Sequence, residues 1–346
     1  MDDVARQLGE GDSAVANTAP NPRIAVVIPC YKVRDTILDV VRRVPSSVEL
    51  IICVDDKCPD GSGDLLKEEC SDPRLVILRN PYNRGVGGAV IAGYRAALAR
   101  SMDIVVKIDG DGQMDPALLS DLVEPLVQGI ADYTKGNRFF WPESTQGMPV
   151  IRLVGNAGLS FLTKASSGYW RIMDPTNGYT AIHSAALRAL PLAKIAERYF
   201  FESDMLFRLY TVRAVVLDVP MNARYGNEKS SLSITRVLVP FLFLNIQNIF
   251  KRFYYNYILR DFNIASVMVL LGFPLIAFGA IFGLREWLQS YALGTTASAG
   301  TVMVAALPII VGLQLVLTAM SFDLTNAPQV PLQRLSRQAR RRDANP

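Results

Sequence analysis

The 346-residue chain has one histidine, His183, and four cysteines, Cys30, Cys53, Cys58 and Cys70, with no C-x-x-C pair among them. A single histidine argues against Ser-His-Asp and Cys-His nucleophile arrangements. The cysteines have no histidine near them in the sequence, so neither a zinc site nor a disulfide framework is expected. We interpret them as reduced core or loop thiols, typical of a cytoplasmic domain.

The charged residues show no strong imbalance, because 36 Lys and Arg face 32 Asp and Glu, a net charge of +4. This balance, with no basic stripe interleaved with aromatic residues, argues against a nucleic-acid partner. Residues 1–21 lack the apolar core of a signal peptide, so we expect a disordered leader there.

Short β-type runs alternate with helix-like stretches from residue 23 to about residue 219. The β-type runs lie at 23–30, 48–56, 74–80, 103–109, 132–139 and 214–220, and the helical stretches at 34–44, 60–70, 87–101 and 115–128. Strands rich in Val, Ile and Leu with helical crossovers predict a mostly parallel sheet covered on both faces. Ligands of such sheets bind beyond the carboxyl ends of the strands. The sequence places polar residues there, at 29–31, 55–56, 80–83 and 109–111.

The composition changes after about residue 234. Residues 234–261 are apolar and aromatic with interspersed cations, which predicts juxtamembrane amphipathic helices; a buried pair of core helices is the alternative. Residues 262–283 and 301–322 carry no charge, and at about 1.5 Å per residue each run is about 33 Å long. We therefore predict two transmembrane helices within 262–323.

Cations flank the predicted spans on one side. The loop at 284–300 carries only Arg285 and Glu286, whereas these cations precede or follow the spans: Lys251, Arg252, Arg260, Arg334, Arg337, Arg340, Arg341 and Arg342. By the positive-inside rule, the α/β domain at 22–233, the basic tail at 324–346 and both termini are expected in the cytoplasm. The chain is then an integral protein of the inner, cytoplasmic membrane.

An acidic turn follows the fourth β-type run, in D-G-D-G-Q-M-D-P at 109–116. Asp109, Asp111 and Gln113 offer the hard oxygen ligands that Mg²⁺ or Mn²⁺ prefers. An EF-hand would need glycine and glutamate where this chain has methionine and serine. The alternative is a plain turn in which Asp115 caps the helix that begins near Pro116.

A glycine-rich segment at 80–90 contains Gly85, Gly87 and Gly88, which let the backbone approach a bound group closely. A dinucleotide-binding fingerprint would belong to the first strand–turn–helix unit, which here reads I-P-C-Y-K and has no glycine. Binding of NAD is therefore not expected.

Eight segments follow one another along the α/β domain: VVIPCYK (26–32), VDDKCPDGSGD (54–64), NRGVGGAVIAGYRAA (83–97), KIDGDGQMDP (107–116), KGNRF (135–139), DPTNGYTAI (174–182), FFESDMLFRL (200–209) and ARYGNEKSSL (223–232). In this order they resemble glycosyltransferase family 2, in its polyprenyl-phosphate branch of the dolichol-phosphate-mannose-synthase type. The resemblance implies a GT-A-type, Rossmann-like fold, and the two predicted spans also match this branch. Lys32, Cys58 and Pro59 depart from the family pattern and leave the donor sugar and base open.

The resemblance implies roles for the polar residues of these segments. The donor would contact Pro29, Tyr31, Asp55, Asp56, Asn83, Gly85, Gly88, Asp109 and Arg138. A Mg²⁺ or Mn²⁺ ion held by Asp109, Asp111 and Gln113 would bridge the donor diphosphate. The acceptor phosphate would contact Arg224, Lys229 and Ser231; solvated surface positions are the alternative for the cations.

The catalytic acids implied by the resemblance are Asp204 first, then Glu202 and Asp174. A lipid phosphate is mostly dianionic at neutral pH, so these acids would position the sugar more than remove a proton. The alternative for Glu202 and Asp204 is a favourable charge at a helix N-terminus.

The expected activity is inverting, metal-dependent transfer of a sugar from a UDP- or GDP-sugar to undecaprenyl or dolichyl phosphate at the cytoplasmic membrane face. The product would be a lipid-linked sugar donor, and a homo-oligomer is compatible with two such spans. Alternatives are another membrane-lipid acceptor and a non-catalytic, membrane-tethered nucleotide-binding protein. A processive polysaccharide synthase would carry Q-x-x-R-W and more spans, which this sequence lacks.

Overall fold

A computed structural model of the chain describes residues 21–141, 150–221 and 234–343. The predicted leader up to residue 20 lies outside these ranges, as do the predicted phosphate-binding residues Arg224, Lys229 and Ser231.

A seven-stranded sheet forms the centre of the α/β domain, with strand order β3-β2-β1-β4-β6-β5-β7. The strands are β1 Ile24–Cys30, β2 Leu50–Asp55, β3 Leu75–Arg79, β4 Ile104–Lys107, β5 Tyr133–Asn137, β6 Thr180–His183 and β7 Val216–Pro220. Neighbouring strands are parallel except at β6, which runs antiparallel to β4 and β5. The predicted mostly parallel sheet is confirmed. The sequence analysis missed β6, because its four residues form no long apolar run.

In the described ranges, eleven α-helices cover this sheet and continue beyond it. They are α1 Ile37–Arg42, α2 Ser62–Glu69, α3 Gly85–Ala99, α4 Leu119–Val127, α5 Val150–Ser167, α6 Ser184–Ala189, α7 Phe201–Thr211, α8 Ile234–Phe253, α9 Ile264–Leu293, α10 Ala299–Thr325 and α11 Leu332–Asp343. A π-helical turn, Tyr254–Arg260, joins α8 to the segment before α9.

The core lies on both faces of the sheet, because successive residues of a strand point to opposite faces. In β1, Ala25 and Val27 pack in the cluster that contains apolar residues of α3 and α7. Val26 and Ile28 pack in the other cluster, with apolar residues of α1, α2 and α4. The four cysteines form no disulfide, as expected from the sequence.

Helices α9 and α10 form an apolar hairpin, and each is long and apolar enough to cross a membrane. A Cβ atom at Gly272 would lie 3.0 Å from the Gly312 carbonyl oxygen, and one at Gly279 would lie 2.5 Å from the Ala305 carbonyl oxygen. The two backbones therefore touch through small residues, as in many membrane helix pairs. In the most apolar stretch of each helix only 11% of residues are buried. This surface is consistent with a membrane-anchored protein, and α9 extends ten residues beyond the uncharged run that ends at Gly283.

Both ends of the hairpin are attached to the α/β domain. Before α9, the Arg260 guanidinium donates to the Thr211 carbonyl at 2.7 Å, and after α10 Arg213 donates to the Asn326 carbonyl at 2.8 Å. The chain then returns to the sheet, where the buried Asp132 carboxylate accepts the backbone N–H groups of Leu332 and Gln333 at the start of α11. The predicted basic tail thus includes a helix whose first turn docks on the catalytic domain.

A carboxylate in the last turn of α10 ties the hairpin to three other parts of the chain. Asp323 accepts hydrogen bonds from both terminal nitrogens of Arg252 in α8, at 2.6 and 3.0 Å. It also accepts from the Tyr257 hydroxyl at 2.5 Å and from the Trp170 indole at 3.0 Å. The Arg252 guanidinium lies over the Tyr210 ring as well, 5.3 Å from its centroid.

Candidate active site

The acidic turn follows β4 at the carboxyl edge of the sheet. The Thr36 hydroxyl donates to the Gly110 carbonyl at 2.6 Å, and the Gln113 N–H donates to Asp111 Oδ1 at 3.0 Å. Gly112, with φ of +77°, has the left-handed conformation that glycine tolerates best. Asp115 caps the next helical turn through the Ala117 N–H, as the sequence analysis allowed. These contacts hold the turn that carries Asp109 and Asp111.

The donor atoms of the turn can be compared with those of known divalent-cation sites. Within residues 21–141, 150–221 and 234–343, no three His, Cys, Asp or Glu side chains are grouped closely enough to form a metal site. Mg²⁺ in phosphate-transfer sites commonly uses one or two carboxylates together with substrate phosphates. The partly exposed carboxylates of Asp109 and Asp111 fit that donor set.

A buried lysine, which the sequence analysis did not single out, joins two of the predicted acids. Lys107, the last residue of β4, is 1% exposed. Its Nζ lies 2.8 Å from Asp109 Oδ1 and 3.3 Å from Glu202 Oε1 in the first turn of α7. Burial lowers the pKa of Lys107, but the two carboxylates raise it further, so it lies above its ordinary value. The residue is a permanent cation between two acids.

The loop before β6 closes over this ion group. A Cβ atom at Gly178 would lie 2.5 Å from Lys107 Nζ and 2.6 Å from Asp109 Oδ2, so only glycine fits there without a shift. The fully buried Lys135 of β5 donates from Nζ to the carbonyl of Asn177, the residue before Gly178. Burial lowers the pKa of Lys135 to about 8.

The two acids in the first turn of α7, Glu202 and Asp204, have different surroundings. Glu202 contacts Lys107, whereas Asp204 accepts from the Ala196 N–H at 2.9 Å and from the Asn248 amide of α8 at 3.2 Å. Asp204 is 5% exposed. Of the two acids, Glu202 is therefore the one beside Asp109, although the sequence analysis placed Asp204 first.

Asp174 and Arg138 form a separate ion pair. The fully buried Asp174 accepts from Arg138 Nε at 2.8 Å and from Nη2 at 3.1 Å, which is the bidentate geometry of a strong pair. The carboxylate therefore orients the guanidinium, whose side chain is 34% exposed.

The acids at the end of β2, Asp55 and Asp56, organise the neighbouring loop. Asp56, 2% exposed, accepts from the Asn80 amide at 2.7 Å and from the backbone N–H groups of Arg84 and Gly85 at 2.9 and 2.7 Å. Asn83 donates to the Asp56 carbonyl at 3.3 Å. Asp55 Oδ1 accepts the Cys58 N–H at 2.8 Å.

The glycines at the start of α3 allow close packing within the chain. A Cβ atom at Gly85 would lie 2.8 Å from the Glu197 carbonyl oxygen, and one at Gly87 would lie 2.4 Å from the Ala196 carbonyl oxygen. A Cβ atom at Gly88 would lie 2.4 Å from Arg84 Cβ. Gly85 and Gly87 thus pack against the segment before α7, and Gly88 packs against Arg84. Contact of Gly85 and Gly88 with a donor stays a prediction.

Two departures from the family pattern contact each other beside β1. The Lys32 N–H donates to Cys58 Sγ at 2.9 Å, and Lys32 Nζ lies 5.7 Å from the centroid of the exposed Tyr31 ring. Cys58 Sγ in turn donates to Asp60. Burial by itself would raise the pKa of Asp60. Hydrogen bonds from Cys58, Ser62 and the Arg34 N–H outweigh it and lower the pKa of Asp60 to about 2. Pro29 and Tyr31 therefore border a rigid, polar loop.

The open, mostly parallel sheet with acids at its carboxyl edge is the architecture of a GT-A-like domain, and the apolar hairpin attached to it is consistent with a membrane anchor. The family description "Glycosyl transferase family 2" matches residues 25–190. The chain is 29% identical over 232 residues to a UDP-N-acetylglucosamine–dolichyl-phosphate N-acetylglucosaminyltransferase of Methanococcus voltae, covering 63% of this chain and 92% of that protein. It is 31% identical over 214 residues to an undecaprenyl-phosphate mannosyltransferase of Micrococcus luteus, covering 58% and 82%.

Among solved structures, glucosyl-3-phosphoglycerate synthase of Mycobacterium tuberculosis, in complex with Mn²⁺, UDP and glucosyl-3-phosphoglycerate, aligns with a TM-score of 0.48 and 22% identity. The alignment covers 67% of this chain and 80% of that one. On the sequence relationships, the chain belongs to glycosyltransferase family 2 and is a glycosyltransferase with a GT-A fold.

Proposed function

We propose that this glycosyltransferase transfers a sugar from a UDP- or GDP-sugar to a polyprenyl phosphate, with inversion and with a divalent cation. The two relatives described above carry different sugars in their names but share the class of acceptor, undecaprenyl or dolichyl phosphate. The observation that carries the proposal is the attachment of both ends of the apolar hairpin to the domain that bears the acidic turn. A domain held in this way works next to a membrane, where the lipid acceptor is found.

The chemistry is a single displacement at the anomeric carbon. An oxygen of the lipid phosphate bonds to that carbon, and the bond to the donor diphosphate breaks, so the nucleoside diphosphate leaves with the electron pair. No proton has to be removed, because a phosphate monoester is mostly dianionic at neutral pH. Attack from the face opposite the leaving group inverts the configuration.

The residues of the site divide this work. Asp109 and Asp111, with Gln113, would hold Mg²⁺ or Mn²⁺, which when bound stabilises the negative charge of the departing diphosphate. Arg138, oriented by Asp174, would contact a phosphate. Glu202 would face the positive charge that develops on the sugar.

The cytoplasmic face is the proposed side of the reaction. Both ends of the hairpin contact the α/β domain. These contacts support a position of the domain, the segment before α9 and the segment after α10 on the same side of the membrane. The excess of arginine near these ends supports the cytoplasmic side.

The test is transfer by the purified full-length protein from a panel of UDP- and GDP-sugars to undecaprenyl or dolichyl phosphate. Asp111→Ala is expected to lower turnover roughly 100-fold or more, because a catalytic cation contributes several kcal/mol. The matched control is Asp121→Ala, which removes an exposed carboxylate on α4. Equal turnover by Asp111→Ala and the control, or full activity in excess chelator, would refute the metal role.

A further inference from the structure

The ammonium group of Lys107 occupies the position between Asp109 and Glu202, two acids that together attract a positive charge. Its ammonium nitrogen contacts carboxylate oxygens of both Asp109 and Glu202. The side chain is 1% exposed, and β4 lies between β1 and β6. Gly178 covers the group on its other side. The ammonium is therefore fixed between the acids.

We propose that Lys107 is a positioning residue that acts as an internal counter-ion: it prevents the acidic group from binding a divalent cation until the donor diphosphate is present. The inference rests on the proposed function, in which Asp109 and Asp111 belong to the cation site. Lys107 does not contact the sugar or the cation in this proposal; it acts through Asp109 and Glu202.

The charges of the site support this role. Asp109 and Glu202 carry two negative charges, and the ammonium of Lys107 compensates one of them at close range. In the described parts of the chain no group of three acidic, cysteine or histidine side chains is available to hold a metal alone. The nucleoside diphosphate brings the missing negative oxygens, so the cation and the donor bind together.

Removal of the ammonium therefore has a distinctive consequence. Without it, Asp109 and Glu202 become a pair of partly exposed, uncompensated carboxylates that attract a divalent cation directly. Loss of one positive charge at a distance of several ångströms should tighten Mn²⁺ binding to the donor-free protein by about tenfold or more, even at a water-like dielectric constant. A lysine that only supported the fold would, when removed, weaken metal binding or leave it unchanged.

The experiment is a Mn²⁺ titration of the full-length protein in detergent, followed by electron paramagnetic resonance of free Mn²⁺, without nucleotide and with UDP or GDP. The variants are Lys107→Gln, Lys107→Arg and the double variant Lys107→Gln/Glu202→Gln. Lys135→Gln is the comparison variant, because it removes an equally buried lysine whose Nζ donates to a carbonyl oxygen and whose charge also interacts with Glu202. Lys107→Met replaces Lys107→Gln if the latter does not fold, which a thermal melt shows.

We expect tighter donor-free Mn²⁺ binding for Lys107→Gln, a wild-type value for Lys107→Arg, a smaller tightening for Lys135→Gln, and a return toward wild type in the double variant. Transfer by Lys107→Gln should fall mainly in kcat, because the misplaced cation no longer serves the diphosphate. Donor-free Mn²⁺ affinity of Lys107→Gln equal to or weaker than wild type overturns the inference. Failure of the wild-type protein to bind Mn²⁺ even with nucleotide would instead refute the proposed function.

Discussion

Asp323→Ala is expected to loosen the attachment of the hairpin to the catalytic domain. The Arg252 and Asp323 side chains are 9% and 10% exposed, so the substitution leaves a buried guanidinium without its carboxylate. Breaking a buried ion pair in this way costs about 3–5 kcal/mol. For a protein of this size that corresponds to an apparent Tm lower by roughly 5–10 °C. The measurement is thermal unfolding of the purified protein in detergent, followed by intrinsic fluorescence.

Two further variants make the Asp323 test decisive. The control, Asp261→Ala, removes an exposed carboxylate just before α9. The double variant Arg252→Met/Asp323→Leu removes both charges, and it should recover most of the lost stability because neither charge is then buried alone. An Asp323→Ala variant with the same apparent Tm as the control would show that the Arg252–Asp323 ion pair does not stabilise the attachment of the hairpin. A double variant with an apparent Tm no higher than that of Asp323→Ala would show the same.

Two other predictions concern pH and the hairpin. Burial raises the pKa of Asp218 to about 6, above its unfolded value of 3.8. The folded protein therefore binds a proton at this carboxylate more readily than the unfolded chain does. The contribution of Asp218 to the free energy of unfolding then rises as the pH falls from about 6 to 4. Asp218→Asn should therefore melt higher than wild type at pH 8, and the difference should vanish near pH 4; a constant difference would contradict the assignment. Gly312→Ala should lower the melting temperature or monodispersity of the protein in detergent, because the added Cβ would lie 2.6 Å from the Gly272 carbonyl oxygen. The control, Gly300→Ala, should leave both unchanged, because the nearest atom to its Cβ would be 3.7 Å away.

Much of the fold could be predicted because its strands are long apolar runs separated by helical crossovers. The strand β6 escaped prediction, since Thr180–His183 is short and forms no long apolar run. Helix α9 is also longer than the uncharged run from which its span was predicted. Arg285 and Glu286 interrupt the apolar run, but the helix continues through them to Leu293 because charged side chains do not by themselves end a helix.

The site was predictable where residues are close in sequence and unpredictable where the fold brings them together. The acidic turn lies within eight consecutive residues, so its candidate oxygen ligands could be predicted from the sequence alone. Lys107 gave a weaker signal, a single cation in an apolar run, and its partner Glu202 lies 95 residues away. The sequence also could not separate Glu202 from Asp204, because only the position of α8 shows that Asp204 binds Asn248.

Helix α7 connects the candidate site to the membrane attachments. Its first turn carries Glu202, which contacts Lys107, and its last residue, Thr211, accepts the hydrogen bond from Arg260 next to the hairpin. Eleven residues at about 1.5 Å each make this helix about 16 Å long. The acidic group and the Arg260 attachment are therefore separated along α7 by at most about this length. In the proposed reaction a phosphate on a long, flexible polyprenyl chain can cover such a distance.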